Sequence, residues 1–178
     1  MNNSIKLTFE GEPRAIQSFR FGTGIKSDGK PFISRYQPSS NTKWKKYISL
    51  CAKSQLPVGF KPMDCSIILS RAVFVFEPIK SLKSYEHKAI EMGYYIRKDT
   101  IPDLPDNLFK GLIDSQAKIV FTMDSRICQM EGAICKCYGK NPRIELEFRE
   151  ASSSVIQIHA TSIEEIDFKK EMDFRKFL

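Results

Sequence analysis

Residues 65–76 indicate an extended strand by their composition alone. The run reads Cys-Ser-Ile-Ile-Leu-Ser-Arg-Ala-Val-Phe-Val-Phe, and isoleucine, valine and phenylalanine favour strands. Pro78 follows shortly afterwards and cannot donate to a strand ladder, so it ends the element. A strand this apolar needs a sheet around it and a layer above it, and the rest of the chain must supply both.

Patterns elsewhere predict further strands and several helices. After Asn41 or Thr42, apolar residues spaced three and four apart describe a helix to about residue 55 that turns Trp44 towards the core. Another helix is expected over 81–92. The remaining predictions are a strand at 5–10, a hairpin or mobile loop at 13–40, a helix at 106–117, a short strand at 119–122, and a hairpin formed by 126–138 and 143–148.

These elements predict an α+β fold, a single domain with helices packed on a mixed, mostly antiparallel sheet. The chain has 178 residues, which is enough for one domain with a proper core. We place that domain at 1–150. Residues 151–178 read as a C-terminal extension with a linker, a short strand at 155–159 and a charged amphipathic helix at 162–178.

Composition points to a soluble, cytoplasmic protein. Apolar residues make up 42% and charged residues 28%, and no apolar stretch approaches the length of a membrane span. The first residues lack the apolar core of a signal peptide. Five cysteines give an odd count, so free thiols are expected. A zinc site built on Cys135 and Cys137 would need two further ligands, and neither His87 nor His159 has the spacing of a zinc ligand.

The residues best suited to chemistry lie in 102–110, which read Pro-Asp-Leu-Pro-Asp-Asn-Leu-Phe-Lys. Asp106 stands where a helix N-cap is expected, because Pro105 before it discourages an earlier start. The helix would then bury one apolar face and present a polar face on the other side. The apolar face holds Leu108, Phe109, Leu112 and Ile113, and the polar face holds Asp106, Lys110 and Asp114.

These side chains suit a metal ion and a phosphate. Carboxylates such as those of Asp103 and Asp106, with Asp124 beyond the next apolar run, are hard ligands of the kind Mg²⁺ takes. Lys110 can hold a phosphate oxygen as a point charge. The pattern therefore suggests metal-assisted cleavage of a phosphodiester. The alternative is that Asp106 only caps a helix and Lys110 and Asp114 form an ordinary exposed pair.

Positive charge is concentrated in the first 50 residues. The net charge of the chain is +7, and residues 1–50 alone hold nine lysines and arginines against three acids. Such a segment is expected to bind a polyanion in a salt-dependent way. Five aromatic residues interleave with these cations and could stack on bases or belong to the core; they are Phe19, Phe21, Phe32, Tyr36 and Trp44.

The acidic segment resembles the signature of RusA-type Holliday junction resolvases, Asp-x-Asp-Asn-x-x-Lys followed by a helix, a short strand and an acidic pair. Asp106, Asn107 and Lys110 match its second half, and Asp124 matches the second acid of the later pair. Lys136 falls where the family often carries a lysine. The basic opening segment is also similar, and the likeness extends over about residues 5–149.

The resemblance implies an endonuclease that acts as a homodimer on four-way junctions and other branched DNA. Asp103, Asp106 and Asp124 would hold Mg²⁺, for which Mn²⁺ can substitute, with Lys110 as a further catalytic residue and Asn107 as an orienting one. No small-molecule cofactor and no membrane would be involved. The cations expected to contact the DNA backbone are Arg14, Arg20, Lys26, Lys43, Lys45, Lys46 and Lys136.

Two positions depart from the family pattern. Asp103 and Asp106 are three residues apart instead of two, with Pro105 between them, and Met123 stands where the family often has another acid. These departures leave open a protein that binds branched DNA without cutting it. A phosphoesterase for small nucleotides is a third possibility, although a small substrate needs no extended basic surface.

Overall fold

The computed structural model describes residues 4–16, 20–158 and 163–166. The strands are β1 (Ser4–Glu10), β2 (Arg20–Ile25), β3 (Pro31–Tyr36), β4 (Ile67–Phe76), β5 (Ile96–Arg97), β6 (Ile127–Tyr138), β7 (Arg143–Glu150), β8 (Val155–Ile158) and β9 (Ile163–Ile166). The helices are α1 (Ser39–Gln55), α2 (Ser84–Glu91) and α3 (Lys110–Gln116), and a π-helical turn, Leu104–Phe109, leads into α3.

Five strands form one mixed sheet in the order β1-β7-β4-β6-β5. The pair β4–β6 is parallel, whereas β1–β7, β7–β4 and β6–β5 are antiparallel. The strand predicted at 65–76 is therefore confirmed as β4, which occupies the centre of the sheet. This arrangement confirms the predicted α+β fold with a mixed sheet.

The predicted hairpin between 126–138 and 143–148 is wrong, because β4 lies between β6 and β7. After β6 the chain passes over the end of β4, where the Gly139 amide donates to the carbonyl of Phe76 at 3.1 Å. β4 is apolar on both faces and gains most from a central position, with a neighbour on each side. A short connection such as 139–142 would equally suit a hairpin, so its length could not reveal the crossing.

One face of the sheet carries the main core. Trp44 and Ile48 of α1 and Leu112 of α3 are buried against this face, which confirms the predicted orientation of Trp44. Aromatic rings fill the space between the layers in edge-to-face contacts. The ring centroids of Phe121 and Phe148 lie 5.5 Å apart.

The opposite face of the sheet is held by ion pairs around a small apolar cluster. Glu145 of β7 contacts Arg71 at 2.6 Å and Arg143 at 2.7 Å. Desolvation pushes the pKa of Glu145 upward, but the two arginines outweigh it and the pKa is lowered. Beside these pairs Cys137 packs with Val73 and Val75, and burial raises its pKa to about 12. The five cysteines are free thiols.

Several element boundaries differ from the sequence prediction. α1 begins at Ser39, directly after Pro38, so neither Asn41 nor Thr42 caps it. Residues 119–122 do not form a strand. Phe121 makes only isolated bridges to Met63 and Ala117, because the chain turns sharply at Lys118, whose φ is 65°. The hairpin that was one alternative for 13–40 is confirmed, since β2 and β3 pair antiparallel.

The C-terminal extension contains a small antiparallel hairpin of β8 and β9. The predicted strand at 155–159 is confirmed for Val155–Ile158. The predicted helix at 162–178 is wrong for Ile163–Ile166, which pair as a strand. The remainder of that helix lies outside the described residues, and the boundary at 150 stays a prediction. In the described part of the chain, no helix combines the length and apolar character needed to span a bilayer.

Candidate functional site

The acidic segment folds as one continuous helical element with two geometries. The π-helical turn Leu104–Phe109 passes directly into α3, and Asp103 precedes it with extended backbone, φ −66° and ψ 139°. The prediction that Asp106 is the N-cap is wrong, because the helical backbone begins before it. Pro105 occupies one of the first two positions of the turn, where proline is tolerated since no N–H is needed there.

The two faces of this element follow the predicted spacing. Leu108, Phe109 and Leu112 are buried, and the ring of Phe109 meets that of Phe74 at 5.8 Å. Asp106 and Lys110 are exposed one turn apart. The apolar face therefore fixes the element on the sheet and leaves this carboxylate and this ammonium at the surface.

Asp114 does not continue that pair along the helix. Its Oδ2 accepts a hydrogen bond from Lys45 Nζ of α1 at 2.9 Å, in an ion pair whose lysine side chain is only 23% exposed. Asp114 thus ties α3 to α1, and the charge of Lys45 is already matched. Among the described residues, Lys110 forms no ion pair.

Asn107 makes two contacts from the acidic turn, as we call Asp103 together with the π-helical turn Leu104–Phe109. Its Nδ2 donates to Asp103 Oδ2 at 3.4 Å, a long contact within the turn. Its carbonyl oxygen accepts from the amide of Ile16 at 2.8 Å. The side chain of Ile16 lies so close to Gly111 that a β-carbon there would overlap it. The basic N-terminal segment is therefore attached directly to the acidic turn.

Two lysines, Lys98 and Lys136, donate hydrogen bonds to the loop that precedes Asp103. Lys136 Nζ donates to the carbonyls of Thr100 at 2.5 Å and Pro102 at 2.7 Å. Lys98 Nζ donates to Thr100 Oγ1 at 2.6 Å and to Tyr138 Oη at 3.1 Å. Lys136 was predicted to contact a DNA phosphate, and that contact stays a prediction; in the structure its ammonium donates two hydrogen bonds to the backbone of the loop before Asp103.

Asp124 begins a separate turn, a single 3₁₀ turn over Asp124–Arg126 that leads into β6, and its side chain is exposed. Asp64 holds this turn on both sides. Its Oδ1 accepts from Thr122 Oγ1 at 2.7 Å and contacts the guanidinium of Arg126 at 2.6 Å. The hydrogen bond from Thr122, followed by the charge of Arg126, lowers the pKa of Asp64.

Asp64 and Lys98 are the contributors to this region that sequence reasoning missed. Asp64 lies 58 residues before Thr122, and no local pattern indicates such a contact. Lys98 could have been noted as a cation beside the acidic loop, but its partner Tyr138 is 40 residues away.

Residues of α3 contact the turn of Asp124, so both acidic turns adjoin the same helix. Within the described ranges, no three His, Cys, Asp or Glu side chains form a ready-made metal cluster. The donor chemistry nevertheless fits Mg²⁺, which keeps several waters and takes one or two carboxylates together with a phosphate. The shared shell of Asp103, Asp106 and Asp124 stays a prediction.

The other cations predicted to contact DNA lie in two places, at or near α1 and in the β2–β3 hairpin. Arg14 and Lys43 line a cleft of about 380 Å³ with Trp44 and Tyr47. Lys46 is exposed on α1. Arg20 starts β2, and Lys26 lies in the turn of the β2–β3 hairpin, where its amide donates to the carbonyl of Lys30 at 2.9 Å.

Comparison with known proteins places this arrangement in a family. The family model for the endodeoxyribonuclease RusA matches residues 10–149, which include both acidic turns and most of the basic segment. No curated protein matches the chain. Since the match covers well over half of the sequence, the chain belongs to the RusA family of endodeoxyribonucleases, which resolve Holliday junctions.

Proposed function

We propose that this protein is a Mg²⁺-dependent endonuclease that resolves four-way DNA junctions by paired, symmetric nicks. The observation that carries the proposal is the attachment of the basic segment to the acidic turn. The hydrogen bond from Ile16 to the carbonyl of Asn107 joins a polyanion-binding segment to exposed carboxylates. A phosphate backbone bound along the segment would pass close to those carboxylates.

In the proposed site Asp106, Asp124 and Asp103 hold Mg²⁺, and Mn²⁺ can take its place. When bound, the metal lowers the pKa of a coordinated water and stabilises the charge that develops on the phosphate. Lys110, one turn beyond Asp106, steadies a non-bridging oxygen or the leaving group. Asn107 orients the carboxylate of Asp103 through the contact described above.

Lys136 acts in this proposal through the acidic loop. By donating to the carbonyls of Thr100 and Pro102, it fixes the backbone immediately before Asp103. It is therefore a positioning residue, and it does not need to reach the DNA.

A homodimer accounts for the pairing of nicks. A four-way junction has approximate two-fold symmetry, and a dimer with a two-fold axis presents two equal sites to opposing strands. Cutting both strands at symmetric positions leaves nicks that a ligase can seal. We expect this activity in the cytoplasm of a bacterium, encoded by the host or by a phage.

A supercoiled plasmid that extrudes a cruciform tests both the metal and the pairing. If two nicks are made within one bound complex, the first product with Mg²⁺ is a linear plasmid, whereas independent nicking first gives nicked circles. We expect linear product with Mg²⁺ or Mn²⁺ and none with EDTA. Cleavage in EDTA would contradict the metal dependence, and accumulation of nicked circles would contradict paired cutting.

The second candidate is a branched-DNA-binding protein without catalysis. Met123, which is 52% exposed beside Asp124, favours it, because a thioether cannot replace a hard oxygen ligand. Tight binding of a synthetic junction with no cleavage in either Mg²⁺ or Mn²⁺ would establish this candidate in place of the first.

A further inference from the structure

The β2–β3 hairpin, called the arm below, has two chemically different faces. Paired residues in an antiparallel ribbon point to the same side, and the register pairs Gly22 with Ser34 and Gly24 with Phe32. Arg20 pairs with Tyr36 at the base of the same face. The opposite face carries Phe21, Ile25 and Ile33, which are 70–76% exposed.

The two rings on the glycine face are held in place by the arm itself. A β-carbon at Gly24 would lie 2.7 Å from the ring of Phe32, and one at Gly22 would lie 3.5 Å from Tyr36 Cε1. The Phe32 ring therefore covers backbone that only glycine leaves open, as in other edge-glycine and aromatic pairs, and the Tyr36 ring lies in ordinary contact above Gly22. They remain 39% and 49% exposed, so each keeps an accessible surface.

Charge and position favour a nucleic acid as the partner of this face. Residues 20–36 contain four cations and the single acid Asp28, which lies 3.8 Å from Lys30. The segment just before the arm is attached to the acidic turn through Ile16 and Asn107. The arm thus begins four residues after Ile16 in the chain and carries a net positive charge that suits a phosphate backbone.

We infer that Phe32 and Tyr36 form a stacking platform for bases that are unpaired or weakly stacked at the branch point of the DNA. The inference rests on the proposed function and adds how a branch is distinguished from a continuous duplex. Aromatic rings stack on any base, so the platform selects DNA structure without reading sequence. Duplex DNA keeps its bases stacked internally and can use only the cations of the arm.

The direct test compares binding of a four-way junction and a linear duplex of the same arm sequence, in EDTA so that no strand is cut. Phe32→Leu keeps an apolar side chain but removes the ring. Gly24→Ala keeps the ring but displaces it. The preference for the junction is the ratio of the duplex Kd to the junction Kd. We expect each change to lower this ratio by about tenfold, the effect of losing one stacked base. The duplex Kd and its salt dependence should stay the same.

Ile33→Ala is the matched control, because Ile33 lies on the opposite face of the same ribbon. It should leave the junction preference unchanged. If Phe32→Leu and Gly24→Ala both retain the wild-type preference, the platform is refuted. If Ile33→Ala weakens junction and duplex binding alike and sedimentation shows a change from dimer to monomer, the arm is a contact between two copies of the chain, and the inference is also refuted.

Failure of the proposed function gives a different result. A protein that prefers junctions through Phe32 but cuts none of them with Mg²⁺ would retain the platform and lose the nuclease assignment. A protein that cuts junctions with Mg²⁺ but binds them equally well after both arm substitutions would retain the assignment and lose the platform.

Discussion

The two acidic turns are positioned by opposite charges. The turn of Asp103 and Asp106 is held by the ammonium of Lys136, which donates to two carbonyls of the preceding loop. The turn of Asp124 is held by the carboxylate of Asp64, which accepts from Thr122 and pairs with Arg126. Neither Lys136 nor Asp64 contacts a predicted metal ligand, and the side chains of Asp103, Asp106 and Asp124 are exposed. Asp103 also accepts the long hydrogen bond from Asn107.

The two side chains that hold the turns, Lys136 and Asp64, also differ in exposure to solvent. Lys136 is partly buried, whereas the side chain of Asp64 is 62% exposed. Hydrogen bonds of a charged group in a partly buried place contribute more than an ion pair in water. The turn of Asp103 and Asp106 should therefore be the more rigid of the two. Removing the hydrogen bonds of Lys136 should lower the cleavage rate more than removing the contacts of Asp64.

The largest effect is expected from the carboxylates themselves. Asp106→Asn and Asp124→Asn should each lower the cleavage rate by more than about 100-fold, beyond what outer contacts of a metal site usually cost. Junction binding should be unchanged, because no positive charge is lost. Asp114→Asn is the control, since Asp114 is paired with Lys45, and cleavage after this change should be close to wild type.

Cleavage of junctions by purified variants at saturating DNA checks this prediction. If Asp124→Asn cuts at the wild-type rate while Asp106→Asn does not, the two turns do not form one site. The comparison between them would then have no functional meaning.

Lys136→Met should rank next. It leaves two carbonyls of the acidic loop without their donor, at a cost of about 1–3 kcal/mol in unfolding free energy, and should slow cleavage by about 10- to 100-fold. Lys140→Met is the matched control, because Lys140 Nζ also donates to a backbone carbonyl, that of Glu91 at 2.7 Å, away from the acidic turns. Lys136→Arg should restore part of the rate.

Chemical unfolding and single-turnover cleavage measure the two effects separately. If Lys136→Met and Lys140→Met behave alike in cleavage, Lys136 has no positioning role. If Lys136→Met instead flattens the salt dependence of DNA binding by one unit, Lys136 contacts a phosphate as the sequence suggested.

Asp64→Asn should have a smaller effect on cleavage, no more than about fivefold, as expected of an exposed ion pair. The pKa of Asp64 is lowered in the folded state. The stability that its ionised carboxylate gives the folded turn is therefore complete above the unfolded pKa of about 3.9, and it is lost as the pH falls through the folded pKa. The ratio of wild-type to variant rates should therefore be constant between about pH 6 and pH 9. A ratio that varies in this range would show that another titrating group holds the turn.

The smallest expected effect is on DNA affinity alone, with no change in the cleavage site. Lys43→Ala removes an exposed cation beside Arg14 and should reduce the slope of log affinity against log salt by about one unit. Lys45→Ala should reduce it by less, because Lys45 is already paired with Asp114. Fluorescence anisotropy with duplex DNA at several salt concentrations distinguishes the two. Equal slopes for both variants would mean that the pair opens when DNA binds.

Local patterns predicted much of the fold and of the acidic turn. The buried positions of Leu108, Phe109 and Leu112 followed from helical spacing, and the strand β4 followed from its composition. The N-cap at Asp106 was wrong because proline is accepted in the first turn of a helix as readily as before it. The basic segment was recognised from charge, although its attachment to Asn107 was not.

Long-range contacts account for what the sequence did not reveal. The order β7-β4-β6 depends on which strands meet in the folded sheet, and no local pattern encodes it. The contact of Asp64 with Thr122 joins residues far apart in the chain, and its strength depends on geometry. Residues 163–166 show the same limit, since pairing with β8 replaced a helix that spacing alone had favoured.

The most direct test is the position of a metal ion on the protein. Crystals of the protein soaked in Mn²⁺ would locate the ion by its anomalous scattering. We expect one ion per chain that touches carboxylate oxygens of both Asp106 and Asp124. An ion bound by only one of these residues, or none at either turn, would contradict a single site built from the two turns.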